Sequence, residues 1–445
     1  MCRIFFAIAC CILGGGNLVV GNFVVGQESP PLGKPAGLSE ISRPLSEFPG
    51  LPQLTAGQND WPWWRGPQRN NHAPPNIAVP ALTAENIRWQ IEVPGRGHAS
   101  PILCGELVAL ATADNVKQIH SLLAYKRATG ELAWQAELHR GGFQKDSHRN
   151  NSHASATPAF DGERFFTVFI HELGLWVSAV DVRGKTLWQT KAGDFDAYYG
   201  FGMSPTLWGP LVIVCGDNDR PGAFLAALHR QTGEVVWRVK RPNIDTYGTP
   251  LAVHIAGRDQ LLLGGGGSMC SYDPATGKLL WKCAGPTEET TANTVAFSKD
   301  TVFVTGGYPK PYIAMGIRAD GNGDVDATHV LWTNKRAMSY VPSPLYADGL
   351  LYVLNDDGII SCLAAATGKT LWSERLGGDY SASPLLLNQQ IILCSEQGLT
   401  TTIAAGKTYR QISQLNLIDP IFATPAVSSD EVYVRTTRRL VKFGN

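Results

Sequence analysis

The sequence predicts an all-β fold: an eight-bladed β-propeller of four-stranded antiparallel blades, its ring closed by an N-terminal strand. Three observations predict it. First, a Thr-Gly turn leading to a tryptophan recurs as Ala128–Trp134 (ATGELAW), Gln231–Trp237 (QTGEVVW), Ala275–Trp281 (ATGKLLW) and Ala366–Trp372 (ATGKTLW), with Val182–Trp188 (VRGKTLW) as a close variant. Second, a hydroxyl residue, usually followed by proline, marks eight unit starts at Ser100, Thr157, Ser204, Thr249, Thr294, Ser343, Ser383 and Thr424. Their spacing of roughly 40–57 residues is that of propeller blades. Third, 47 Gly, 28 Pro and 12 Trp favour short strands and turns, and no sustained 3.6-residue apolar pattern follows the first residues.

In chain order, Met1-Cys2-Arg3 and the apolar run Ile4 to Leu13 read as a signal peptide over residues 1–26, with Val24-Val25-Gly26 before the cleavage point. Export to the periplasm or the exterior is therefore expected. An uncleaved anchor or a lipid on Cys10 are the alternatives, and Gly14 to Asn17 interrupt the run too early for a spanning helix. Residues 27–58 are rich in Pro, Gly and Ser without periodicity, and read as an extended, poorly ordered linker. Residues 59–84 hold Trp61, Trp63 and Trp64, too much apolar surface to leave in water, and are expected to cap the domain surface.

The propeller is expected over residues 85–445. Each unit holds a short first strand, a second apolar strand such as Leu350 to Leu354, a third strand, the Thr-Gly turn and the Trp strand. The last unit, beginning at Thr424, runs out after about three strands, whereas Trp89 precedes the first start. Ile87 to Val93 are thus expected to supply the missing outer strand and hide its edge. A solenoid with the same repeat would need polar caps, and none is evident. Unit five departs from the pattern: Asp320, Asn322, Asp324 and Asp326 have the spacing of a calcium loop, but the twelfth position is Leu331 rather than glutamate. A metal-free acidic turn is the preferred reading.

The formal charge is zero and 17% of residues are charged, so nothing suggests an electrostatic nucleic-acid binder. Of nine cysteines, Cys104, Cys215, Cys270, Cys283, Cys362 and Cys394 remain after removal of the signal, with no CxxC. Cys270 and Cys283 flank one hairpin and could meet; the others read as small apolar side chains on strands. There is no Gly-x-Ser-x-Gly, His-Glu-x-x-His or phosphate loop.

The grammar x-[ST]-P … A-T-G-[KE]-x-L-W resembles the pyrroloquinoline-quinone-like (PQQ-like) β-propeller superfamily from Ile87 to the C-terminus. That superfamily includes quinoprotein alcohol dehydrogenases and the BamB-type outer-membrane assembly propeller. Trp61 to Pro67, with Gly323 to Val325 before Thr328 to Trp332, looks like a secreted bacterial subfamily largely without assigned activity. For the dehydrogenases, the resemblance implies a disulfide of adjacent cysteines beside the cofactor, a calcium ion and an aspartate base. The adjacent cysteines here are Cys10 and Cys11, inside the signal, and the haem motif CxxCH is missing. No cofactor is therefore expected.

Two functions stay open: a non-catalytic binding or assembly scaffold for an envelope protein, peptide or glycan, and a PQQ-dependent or other enzyme using the central pocket. The loops entering each blade gather at one channel mouth, giving the candidate residues Arg96, His98, Asn150, Asn151, His153, Tyr198, Tyr199, Asp245, Tyr247, Asn293, Tyr340 and Tyr380. Rigid tyrosine rings with polar neighbours suit recognition. His148 and His153 form the densest histidine cluster, either a polar loop or an incomplete metal or acid–base set. The opposite mouth is expected to receive mainly Thr-Gly turns.

Overall fold

Eight four-stranded antiparallel meanders follow one another along the chain; two gain a short fifth strand at the outer edge, and the last takes its outer strand from residues ahead of the first blade. They form the eight-bladed propeller. The structure is a computed structural model that describes residues 39–445 apart from 76, 78–79, 146, 287–289 and 307–312. The expected signal segment, 1–26, and the first part of the expected linker lie outside the described residues. Blade one comprises Ile102–Cys104, Leu107–Asp114, Ile119–Lys126 and Leu132–Arg140. Blades two to seven occupy residues 159–194, 206–240, 251–284, 296–334, 345–375 and 385–416. Blade eight takes Ala426–Ser428, Glu431–Arg435 and Arg439–Gly444, and Ile87–Glu92 pairs antiparallel with the last of these as its outer strand. The expected closure is thereby realised.

Inner strands are short and buried on both sides by neighbouring blades, so Ile102–Cys104 and Ala426–Ser428 read as unbroken small or apolar runs. Outer strands alternate between half-buried and exposed, as in Ile87–Glu92, because one face meets the next blade and the other meets water.

The Thr-Gly turn and the tryptophan recur together because they make one contact between neighbouring blades. Each outer-strand indole donates its N–H to a carbonyl of the following blade's turn: Trp134 to Val182 O (2.9 Å), Trp188 to Arg230 O (3.1 Å), Trp237 to Pro274 O (3.1 Å) and Trp332 to Ala365 O (2.8 Å). The ring then covers the turn glycine. At Gly233, φ is +74° and a Cβ would lie 2.6 Å from the Trp188 ring, so only glycine fits. Two exceptions follow the same logic. Blade five lacks a Thr-Gly turn, and Trp281 of blade four turns instead to Gln260 Oε1 of its own blade (2.8 Å). Blade eight takes its outer strand from Ile87–Glu92 and so has no such turn, and the outer strand of blade seven, Gln411–Asn416, carries no tryptophan.

The hydroxyl starts join the blades at the centre. Ser100 N–H donates to Thr157 Oγ1 (2.9 Å), Thr157 N–H to Ser204 Oγ (3.0 Å), and so on to Ser383 N–H and Thr424 Oγ1 (3.0 Å). Seven junctions carry this bond, each contributing about 1 kcal/mol. At the remaining junction, buried Arg435 of blade eight donates to Ala99 O (2.9 Å) and Ala111 O (2.8 Å).

The Trp-rich segment does more than cap the surface: it fills the lower end of the channel. Trp61 pairs with Leu103 in both directions (2.9 and 3.0 Å), and Phe160 N–H donates to Pro62 O (2.7 Å). Arg69 donates to Leu207 O, His72 Nε2 meets Tyr346 O (2.7 Å), and Asn71 bonds the backbone of Pro384 and Leu386. Arg65, 1% exposed, donates to Val295 O and Pro344 O. One short segment thus touches blades one, two, three, five, six and seven. The expectation that Thr-Gly turns occupy this mouth is corrected accordingly.

Other expectations are also corrected. Residues 39–58, read as loose linker, dock on blade three: Ile41–Ser42 pairs with its outer strand, and Phe48 stacks on His229 at 5.1 Å. Cys270 and Cys283 are free. The register pairs Met269 with Cys283 and Cys270 with Lys282, so an offset of one residue sends the two thiols to opposite faces of the blade. In the acidic turn of blade five, Asp320 faces His329 and Arg318 (3.3 Å each), Asp324 faces Lys282 (3.5 Å), and Asp326 accepts from Ala284 N–H. These carboxylates diverge.

Candidate functional site

Above the Trp-rich segment the channel widens into a funnel of about 1040 Å³. Trp64 forms its floor, and all eight start hydroxyls ring its throat. In a four-stranded meander, the loop entering a blade and the turn between its second and third strands lie at the same end. Both therefore supply the funnel rim.

Eight of the twelve candidate residues line this funnel: His98, Asn150, Asn151, Tyr199, Asp245, Tyr247, Tyr340 and Tyr380. Four do not. Arg96 is exposed and braces the rim by donating to Arg149 O (3.0 Å). Tyr198, 62% exposed, stands outside and meets Tyr199 edge-on at 5.0 Å. Asn293 is buried, and its amide donates to Thr305 Oγ1, Ser339 O and Tyr340 O, which makes it a brace between blades five and six. His153 turns away to pack on Phe143 and His120, at 4.5 and 6.4 Å between ring centres. His148 stays at the funnel, so the expected histidine pair is divided. Tyr380 contributes ring surface only, being 1% exposed.

Sequence reasoning missed most of the charge. The funnel is lined by Asp219, Asp245, Asp356, Asp357, Asp379 and Glu396, against Arg149, His98 and His148. Asp219, Asp356, Asp357 and Glu396 sit on turns between second and third strands. The signal was available: acidic turns such as Asn355-Asp356-Asp357-Gly358 between two apolar strands must face the same way as the blade-entry loops.

Burial decides the electrostatics. The Asp356 carboxyl accepts backbone N–H bonds from Tyr340 (2.9 Å) and Val341 (3.0 Å), yet burial pushes it up to about 6. Asp245 is raised by burial and by Asp219, and Glu396 by burial, although Ser381 and Asn150 donate to it. His98 stacks on Phe422 at 4.2 Å, and burial beside Arg96 and Arg435 holds it down at about 3, hence neutral. With six carboxylates against one arginine on its wall, the funnel is acidic at neutral pH.

A family model described as "Outer membrane protein assembly factor BamB" matches residues 79–196, 120–373 and 322–443. Among solved structures, BamB from Moraxella catarrhalis superposes with a TM-score of 0.60 at 15% identity, covering 81% of this chain and 97% of that one. A europium-containing methanol dehydrogenase gives 0.63 at 12% identity, covering 87% and 98%. The quinohemoprotein alcohol dehydrogenase from Comamonas testosteroni gives 0.63 at 11% identity, covering 87% and 80%. These likenesses establish the fold alone. A curated relative, methanol dehydrogenase [cytochrome c] subunit 1 of Methylorubrum extorquens, is 26% identical over 157 residues, 31% of this chain. The chain spans a quarter of that relative's length. Together, the family matches and the eight-bladed fold place this chain in the BamB-type family of PQQ-like β-propellers.

Proposed function

We propose that the protein is an exported, non-catalytic binding propeller that holds part of an envelope partner (a protein, a peptide or a glycan) in the upper funnel. The observation that carries this reading is the contrast between the ends of the channel. The lower end is filled by residues 59–73, whereas the upper end is a large recess with tyrosine rings and polar groups on its walls. Kinship with a family described as an assembly factor supports a protein partner. No helix among the described residues is long and apolar enough to cross a membrane.

The test compares two faces. Tyr199→Ala with Asn150→Ala alters the rim, and Lys278→Ala with Thr276→Ala alters an exposed Thr-Gly turn of the opposite face. Each is used to capture partners from the native envelope. Capture should fall at least tenfold with the rim pair alone; equal loss from the turn pair would refute the choice of face.

The similarity to methanol dehydrogenase favours a second reading, a quinoprotein enzyme. The residues present do not fit that cofactor. Pyrroloquinoline quinone is a planar tricarboxylate, and this funnel would set it among six carboxylates with one arginine. The six described cysteines are buried within the blades, none in the funnel lining. A quinone spectrum that survives dialysis, together with alcohol oxidation, would establish the enzyme instead.

A further inference from the structure

Taking the funnel as the binding site, and resting on that reading, we infer that its ligand is a cationic protein segment carrying several lysine or arginine side chains. The first ground is charge without counter-charge. Elsewhere, buried acids have partners: Asp217 meets Arg241 (2.7 Å), Asp161 meets Arg230 (2.7 Å), and Glu431 lies between Arg127 and Lys442 (2.7 and 2.6 Å). Among the described residues, none of the six funnel carboxylates has an ion-pair partner. Their donors are neutral: backbone N–H groups for Asp245 and Asp356, side-chain amides or a hydroxyl for Asp379 and Glu396.

The second ground is distribution. Asp219 and Asp245 lie at blade three and its exit, while Asp356, Asp357, Asp379 and Glu396 lie around blades six and seven. No group of three or more described carboxylate, histidine or cysteine side chains is close enough to hold one metal ion. One small cation could answer one side only, whereas a chain with spaced cations can answer both. A volume of about 1040 Å³ lies at the upper end of the small-molecule range and suits a short peptide.

The third ground is the wall. Tyr199, Tyr340, Phe422 and Trp64 stand beside the carboxylates, and aromatic faces hold ammonium and guanidinium groups. The rings of Tyr247 and Tyr380 add further aromatic surface to the same wall.

The test titrates the full chain by calorimetry with hexalysine, hexaglutamate and spermine at 50 and 300 mM salt. Hexalysine should bind, weaken at least tenfold at the higher salt, and bind more tightly than spermine; hexaglutamate should not bind. The variant Asp219→Asn/Asp357→Asn/Asp379→Asn changes exposed side chains only. It should weaken hexalysine at least tenfold, whereas Glu163→Gln on an outer turn should not. Equal affinity for hexaglutamate, unchanged affinity in the triple variant, or spermine matching hexalysine would each overturn the inference. The two readings separate cleanly. Rim-dependent capture of an envelope partner without hexalysine binding would reject the ligand class and keep the funnel; loss of both would reject the funnel.

Discussion

The two ends of the central channel use the same ring of blades to opposite effect. At the lower end, polar groups brought in by residues 59–73 meet backbone carbonyls, and even the cation of Arg65 is solvated by two of them. Burial holds that guanidinium down at about 9, well below its ordinary value, because no carboxylate accompanies it. At the upper end, carboxylates face one another with neutral donors only. The difference teaches where stability and recognition reside. A sealed end holds the ring together, and an end with uncompensated charge is held ready for something else.

That comparison can be broken or sharpened by substitution. The largest effect is expected from Trp61→Ala at the sealed end. It removes a ring that is 1% exposed, and should cost about 3–5 kcal/mol, read by denaturant unfolding. A loss below about 1 kcal/mol would mean that the segment merely covers the ring.

Gly368→Ala should cost about 2–3 kcal/mol, because its φ is +67° and a Cβ would overlap the Trp332 ring. Gly349→Ala has φ +77° and nothing within 4 Å, so it isolates the backbone share, about 1 kcal/mol. Equal losses would remove the Trp–Gly contact as the reason for the repeat.

A comparable effect concerns pH at the open end. Asp356 is raised to about 6 in the fold from 3.8, so the folded protein keeps a proton that the unfolded chain releases. Stability from this group is therefore complete below about pH 4 and lost as pH rises through 6, on the order of 3 kcal/mol. Asp356→Asn should flatten that decline in melts recorded between pH 4 and 7; an unchanged profile would show the carboxyl to be ordinary. The smallest effect is expected from Asp219→Asn, within about 0.5 kcal/mol of the parent and in the stabilising direction, since it removes repulsion at an exposed position. A loss like that of Trp61→Ala would erase the distinction between the two ends.

Much of the ring was legible in the sequence for a physical reason. Trp and Gly mark most blades because a tryptophan such as Trp134, Trp188, Trp237 or Trp332 packs on the next blade's glycine, so the contact recurs along the chain. The hydroxyl starts are repeated because seven of the eight, Thr157 to Thr424, accept the N–H of the preceding start. The sealed end was not legible: Arg65 reaches Val295 and Pro344, 230 and 279 positions away, in contacts made once and therefore without period. At the site, the blade-entry loops gave Tyr199, Asn150 and Tyr340. The acids at 219, 356, 357 and 396 needed the meander's alternation to be followed through one more turn. Asn293 and His153 show a further limit. Their loops arrive at the rim, but local hydrogen bonds and ring contacts turn the side chains inward.

The closing strand has a consequence in time. Ile87 pairs with Phe443, roughly 350 positions later. At about 5–20 residues per second, ribosomal synthesis separates the two by roughly 20–70 s. Throughout that interval Ile87–Glu92 lacks its ladder partner, and Arg65 and Asn71 await carbonyls in blades five to seven that have yet to be made. Blades one to seven can form in order as the chain emerges. The strand that precedes them all must be held open until the last one arrives, so the ring can close only once Arg439–Gly444 has emerged.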